Sequence, residues 1–370
     1  MPSKYGINVE LHNASPASYS IQSSYPIAIV GDDSTLQSGL YYYGSVEEAL
    51  QAVGGGSIKN TLQDLQASNA EGQIILSVFS KTLGESEDIT QENINKALNA
   101  ITALKNAEQE LSIKPKFILC VEYNDLGIYE KLKSIASSLR AYYAIELNAT
   151  DEVAIKQSLE SIQTHRAIIT FQKVQRIDKV VRPASAFIIA LYAKIIASED
   201  FGFAKTYSNR VIEGIISVVD TIEYIQGEDC EADRLRDMGI TAIFVDNGIR
   251  AWGRHTRDSA LGIESLHSIM IFDTIIETLF ASQKEAIDKQ VADMVKQLQD
   301  DLNSFYRKLI ANNVIVGYEI SLPEELNTNE AIANGEIYIK QEVQEMPLIS
   351  RVVNKIYRVT KYSQELIKEL

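Results

Sequence analysis

Hydrophobic and polar positions alternate with period two across residues 5–11, where Ile7, Val9 and Leu11 share one face and Asn8 and Glu10 the other. That is the pattern of a half-buried strand. Residues 12–24 are polar and aperiodic and read as an extended linker, which leaves the first strand detached from the body of the protein. Short apolar runs follow at 25–30, 73–79, 116–121, 142–147, 167–171 and 240–245, with helical patterns between them. In the clearest of these helices Thr90 is placed to cap, and Ile94, Leu98, Ile101, Leu104 and Leu111 recur every three or four residues. Parallel strands need crossover connections, so this alternation predicts an α/β fold with a mostly parallel sheet and covering helices.

The rhythm changes after residue 260. An apolar helix from Leu266 to Phe280 precedes an amphipathic helix placed within 284–311, whose stripe is Ile287, Val291, Val295, Leu298, Leu302, Phe305 and Leu309. At 1.5 Å per residue, about 25 residues span roughly 38 Å. Two strands, Val314 to Ile320 and Glu336 to Val343, flank the acidic loop at Pro323–Asn327. The expected organisation is an N-terminal arm and linker (1–24), an α/β domain (25–255), a small α+β C-terminal domain (256–349) and a C-terminal arm (350–370).

Charge sharpens this picture. The 370-residue chain carries −15 at 45% hydrophobic content, which argues against a phosphate-binding groove, since such grooves cluster Lys and Arg. Its last twenty residues hold five basic and two acidic side chains, a net of +3 that leaves −18 on the remainder. A basic strand-like tail on an acidic body suits self-association. No run approaches the roughly 18 apolar residues of a membrane span, and Met1-Pro2-Ser3-Lys4-Tyr5 opens no signal region, so a protein made and kept in the cytosol is expected. Cys120 and Cys230 read as unpaired thiols. The glycosylation-like triplets at Asn13 and Asn148 would need a secretory route.

Candidate chemistry is sparse. Gly54-Gly55-Gly56-Ser57 follows a helical pattern rather than a strand and lacks phosphate-loop spacing, so a helix C-cap and flexible turn is expected. Gly31-Asp32-Asp33 ends a strand and offers carboxylates to a metal, with a solvated turn as the favoured alternative. Arg250, Trp252, Arg254, His255, Arg257 and Asp258 most resemble a site, because guanidinium groups and an indole can grip a carboxylate or phosphate. The competing reading, which we favour, is a domain junction anchored by Arg250, Trp252 and Arg254, with the arginines bridging to acidic surfaces. His12, His165 and His267 are isolated, and no metal-ligand spacing or Gly-x-Ser-x-Gly elbow occurs.

Val245-Asp246-Asn247-Gly248-Ile249-Arg250-Ala251-Trp252-Gly253-Arg254-His255-Thr256 resembles the glycine- and tryptophan-containing signature of contractile tail sheath proteins of phages and R-type bacteriocins. Lys205–Ile215, the Asn334–Ile339 strand with Met346-Pro347-Leu348, and the openings Gly6–Glu10 and Ile27–Gly31 extend that resemblance over nearly the whole chain, in outline only across 32–110. His255 departs from the family pattern, which often has a small or polar residue before the threonine. The resemblance implies a structural, non-enzymatic subunit stacking as hexameric rings around an inner tail tube protein, with baseplate and tail terminator proteins as further partners. It implies no cofactor, metal, nucleic acid or membrane insertion, and a place in a virion tail or extracellular contractile particle assembled in the bacterial cytoplasm. Ile7, Val9 and Leu11, with Val353, Ile356, Tyr357 and Val359, are the expected inter-subunit arms, each able to complete a neighbour's sheet. Lys289, Asp293, Lys296 and Asp300 are candidate tube-facing residues. The rival expectation is a cytosolic α/β enzyme or ligand-binding protein using the Arg250–Asp258 cluster.

Overall fold

The structure, a computed structural model, describes residues 19, 21, 25–149, 151–257 and 265–362, the side chains of 292 and 293 excepted. Its strands are β1 (Ile27–Asp32), β2 (Gly39–Tyr43), β3 (Ile74–Phe79), β4 (Phe117–Leu119), β5 (Tyr142–Glu146), β6 (Ala167–Thr170), β7 (Lys173–Arg176), β8 (Val181–Pro183), β9 (Ile215–Val218), β10 (Ala242–Val245), β11 (Ile249–Trp252), β12 (Ile315–Ser321) and β13 (Lys340–Glu345). The helices are α1 (Val46–Ala52), α2 (Ser57–Ala67), α3 (Glu87–Ala103), α4 (Ala107–Leu111), α5 (Leu126–Leu139), α6 (Glu152–Leu159), α7 (Ser185–Ser198), α8 (Glu231–Asp237), α9 (Leu266–Gln283), α10 (Val291–Ala311) and α11 (Asn329–Ala333). The chain divides into two compact units between Phe305 and Tyr306.

The first unit is built on a six-stranded sheet of order β2-β3-β1-β4-β5-β6, parallel except for β2, which pairs antiparallel with β3. β1, β3, β4 and β5 are apolar on both faces, as strands covered on both sides must be. Ala28, Val30, Ile118, Tyr143 and Ile145 point into a core closed by Ala97, Ile101 and Leu104 and by Ile128, Leu132 and Ile135 of α5. Helix α7 packs on β4 and β5 and against α2. There Phe117 meets Tyr192 edge-on at 5.6 Å, and Tyr192 meets Tyr207 at 5.0 Å.

The parallel sheet expected from the sequence is present, with four corrections. The strand at 240–245 is not part of it. It forms the β10–β11 hairpin and reaches the sheet through a single bridge from Ile240 to Ile169. Asn247 (φ 48°) and Gly248 (φ 119°) close that hairpin with the positive φ values a tight reversal needs. The edge strand β2 had no sequence signal. Thr90 is not the cap of α3, which starts earlier: Ser86 Oγ accepts from Ile89 N at 3.3 Å, and Glu87 and Asp88 fill the favourable first turn.

The amphipathic helix is also shorter than expected. Ile287 is extended and 70% exposed, and Asp288 sits at φ 65°, a break that separates the turn at Lys284–Ala286 from α10. Residues 352–360 form no strand within the subunit, which overturns no expectation.

A three-stranded antiparallel sheet, β8-β7-β9, locks onto α2 through buried charge. Asp64 is fully buried and accepts from Arg176 Nη1 at 2.8 Å and Arg182 Nε at 2.7 Å. Arg182 also reaches Glu122 at 2.9 Å. Helix α9 is tied in the same manner, since Asp273 receives both terminal nitrogens of Arg166 and the hydroxyl of Tyr142 (2.8 Å). A lone buried charge is costly once its partner is removed. Asp273→Ala should therefore lower unfolding free energy by about 3–5 kcal/mol in urea titrations; a loss under about 1 kcal/mol would mean this triad does not hold α9.

The second unit is small. Tyr306 stacks on Tyr318 at 4.9 Å and donates to Gln341 Oε1 at 2.6 Å, and Leu309, Val314 and Ile315 are buried. Its sheet has two strands, β12 and β13, antiparallel and paired from Ile315–Glu345 to Ser321–Lys340. Between them α11, which the sequence pattern did not suggest, is capped by Thr328 Oγ1 accepting from Ala331 N at 3.2 Å.

Candidate assembly interface

An open α/β sheet binds ligands where its crossovers part, outside the carboxyl ends of the central strands. Here that place lies beyond β1 and β4, where Gly31-Asp32-Asp33 and Gly54-Gly55-Gly56-Ser57 come together. Asp33 Oδ1 accepts from the amides of Thr35 and Leu36, both at 2.8 Å, and Oδ2 accepts from Gly54 (3.0 Å) and Gly55 (3.1 Å). Asp32 Oδ1 accepts from Ser57 Oγ at 2.7 Å and from the Tyr123 hydroxyl at 3.0 Å. Neither expectation for these segments holds. Asp33 is buried at 7% exposure rather than solvated, and the glycines form a tight cradle rather than a flexible turn. A β-carbon on Gly54 would stand 1.9 Å from Thr35 Oγ1. An amide cradle of this kind binds anions, and here it holds the protein's own carboxylate.

Sequence reasoning missed a buried group nearby. Glu146, at the end of β5, accepts a short hydrogen bond from Ser185 Oγ, and its burial pushes the carboxyl up to about 7 against the pull of Ser185 and Arg182. Its only sequence signal is a lone acid within Tyr142–Leu147. The adjacent Cys120 thiol is pushed up to about 12 by burial, so it stays protonated at neutral pH.

The arginine–tryptophan cluster lies on and after the β10–β11 hairpin. Trp252 Nε1 donates to Asp233 at 2.8 Å, its ring lies edge-on to Phe244 at 5.6 Å, and the Arg236 guanidinium covers it at 4.2 Å. Arg250 donates to the carbonyls of Asp246 (2.7 Å) and Asn209 (2.8 Å), and Arg257 to those of Leu159 (2.9 Å) and Met238 (3.3 Å). These arginines bond backbone oxygen, not the acidic surfaces expected. Arg254 Nη1 reaches Ser265 Oγ at 3.4 Å. His255 is held below its usual range by burial and by Arg236 and Arg254, so it is neutral at pH 7. Asp258 lies outside the described residues. Gly253 permits the chain to pass Ile240 O, which a β-carbon would approach to 2.5 Å.

Exposed apolar side chains cluster in the described part of the C-terminal run. Val353 (63%), Ile356 (93%), Tyr357 (76%) and Val359 (52%) are exposed apolar side chains in a run that forms no strand. Ile7, Val9 and Leu11 lie outside the described residues. Lys289, Lys296 and Asp300 are exposed; the side chain of Asp293 is not among those described.

Solved structures place this fold in one class. It superposes on the anti-feeding prophage helical sheath in its contracted state with a TM-score of 0.70 at 17% identity, covering 97% of this chain and 100% of that one. The contracted PVC sheath complex of an extracellular contractile injection system gives 0.72 at 12% identity, covering 98% and 99%. The chain thus shares its fold with contractile sheath subunits. Its sequence relatives carry the same description. A prophage major tail sheath protein of Pseudomonas aeruginosa is 24% identical over 256 residues, 67% of this chain, and the chain spans 66% of that relative's length. The tail sheath protein of Escherichia phage P2 is 22% identical over 343 residues, 87% of this chain and 86% of its own. No protein-family model matches. The resemblance to tail sheath proteins read from the sequence is borne out by these relatives.

Glu146 yields a pH test. Its folded pKa of about 7 lies above the ordinary 4.5, so the protonated carboxyl stabilises the fold at low pH. That contribution is lost as pH rises from about 4.5 to about 7. Glu146→Gln should be more stable than the parent by about 2–3 kcal/mol at pH 8 and by less than about 1 at pH 5. Thermal melts at the two pH values measure this; an equal shift at both would refute the raised pKa.

Proposed function

We propose that this chain is the structural subunit of a contractile tail sheath that polymerises as stacked hexameric rings around an inner tube and contracts to drive the tube through a target envelope. The agreement with sheath subunits along nearly the whole chain carries this reading. Sequence relatives named as tail sheath proteins support it independently. In this reading the protein acts by changing lattice rather than by catalysis, in a tail or particle outside the cell that assembled it. Tube, baseplate and tail terminator proteins are its further partners.

Strand exchange by the terminal arms links the subunits. A two-stranded sheet is marginal on its own, and β12–β13 has two edges that partner strands can extend. An exposed segment with apolar side chains is a suitable strand to add. Charge favours the pairing: residues 351–361 carry four basic and no acidic side chains, whereas residues 315–345 carry seven acidic and one basic. About five ladder bonds at roughly 1 kcal/mol each make a modest joint, and repetition through the lattice multiplies it. Such joints act as hinges, holding subunits together while they rotate outward and bury more mutual surface. The strain built in at assembly supplies the work, in keeping with an amide cradle already filled by Asp33. Residues 256–349 form the tube-proximal part, with Lys289, Asp293, Lys296 and Asp300 towards the tube, and Arg250, Trp252 and Arg254 mark its junction with the rest of the subunit.

Full-length protein should form tubes or large oligomers in negative-stain micrographs, more slowly at 1 M salt, where screening shrinks to about 3 Å. Removal of residues 351–370 should leave folded monomers with Tm within about 2 °C of the parent, because residues 351–362 are exposed and bury nothing in the subunit's core. Normal tubes from the truncated chain would refute the strand-exchange hinge.

A further inference from the structure

The linker at 12–24 is not unattached along its length. It contains one tyrosine, Tyr19, which is 7% exposed. Its ring stacks on Phe305 of α10 at 5.5 Å and 26°, and its hydroxyl accepts from Gln283 Nε2, at the end of α9, at 3.3 Å. Burial raises its phenolic pKa, as expected of a ring withdrawn from water. A rigid aromatic that has stacking and hydrogen-bond partners in a stretch whose other large apolar residue is Ile21 is an anchor.

Anchoring there changes what the N-terminal strand can reach. Leu11, the last apolar residue of the alternating segment, is 16 residues from Ile27, where β1 starts, but 8 from Tyr19. At about 3.6 Å per residue, attachment at β1 would let Leu11 range to roughly 58 Å, whereas attachment at Tyr19 limits it to roughly 29 Å. Effective concentration falls roughly as the −3/2 power of tether length, so the shorter tether raises it about threefold for a site within range. It also excludes any acceptor farther away.

Resting on the sheath reading above, we propose that Tyr19, clamped by Phe305 and Gln283, is the positioning residue that sets the reach of the N-terminal strand and thereby selects which neighbouring copy receives it. The clamp sits between α9 and α10, so the point of departure moves with the helix assigned to the tube-facing surface.

The test uses full-length protein and the critical concentration for polymerisation, read by sedimentation. Six Gly-Ser residues inserted after Ser15 lengthen the tether beyond the clamp and should raise the critical concentration about twofold. The same insertion after Ser23 lies between the clamp and β1 and should leave it unchanged. Tyr19→Ala should raise it about threefold with Tm within about 2 °C, and should make the two insertions equivalent. Tyr19→Phe, which keeps the stack, should stay within about twofold of the parent. Equal effects of the two insertions in the parent background, or none from either, would overturn the clamp. If the parent chain does not polymerise, the sheath reading itself fails and the proposal falls with it, an outcome distinct from polymerisation that ignores Tyr19.

Discussion

Backbone amides and carbonyls at a strand edge require partners, and this constraint governs how the molecule ends. In the centre of the first unit's large sheet the requirement is met internally. Five parallel strands and an antiparallel edge strand are covered by helices, and the lone acids within are matched to arginine, tyrosine or amide donors. Among the described residues of the second unit, β12 and β13 pair only with each other, and an exposed apolar and basic segment follows them. Natural proteins blunt such edges or use them. On the reading proposed above, such an edge and an exposed strand-like run complete each other between copies.

The contrast between buried and exposed chemistry follows from the same constraint. Asp33 in the glycine cradle, Asp64 between two arginines, and Asp273 between Arg166 and Tyr142 are saturated groups that fix helices to sheets. They make the body of the subunit rigid. Arg250 and Arg257, the residues most suggestive of a binding site in the sequence, spend their guanidinium groups on backbone carbonyls. Trp252 meets Phe244 edge-on, is covered by Arg236 and is hydrogen-bonded at the root of a hairpin. What remains available for recognition lies on the arm, the open sheet edges and the polar face of α10.

Much of the fold was legible because continuous apolar runs such as Ile27-Ala28-Ile29-Val30 and Ile74-Ile75-Leu76 have few alternatives to a doubly covered strand. The run at 240–245 misled for the same reason, since Ala242, Ile243 and Phe244 are as buried in a hairpin as they would be in the sheet. The deciding signal was two residues further on, in Asn247-Gly248. Ser86, followed by two acids, was a better cap than Thr90 and could have been read. β2 could not: Leu40-Tyr41-Tyr42-Tyr43 has no period, and an edge strand borrows its register from its neighbour. The Asp33 cradle joins residues 21 apart, and the Tyr19 clamp joins residues 286 apart, so neither is a sequence pattern at all. Exposure of the C-terminal run was legible in its lack of a core.

The most direct test of the account is a near-atomic map of the polymer formed by the full-length chain. Strand exchange predicts β12 and β13 flanked on their open edges by strands from neighbouring copies, one running through residues 5–11 and the other through 352–360. A polymer in which both edges stay unpaired, or in which each arm folds back on its own subunit, would contradict it.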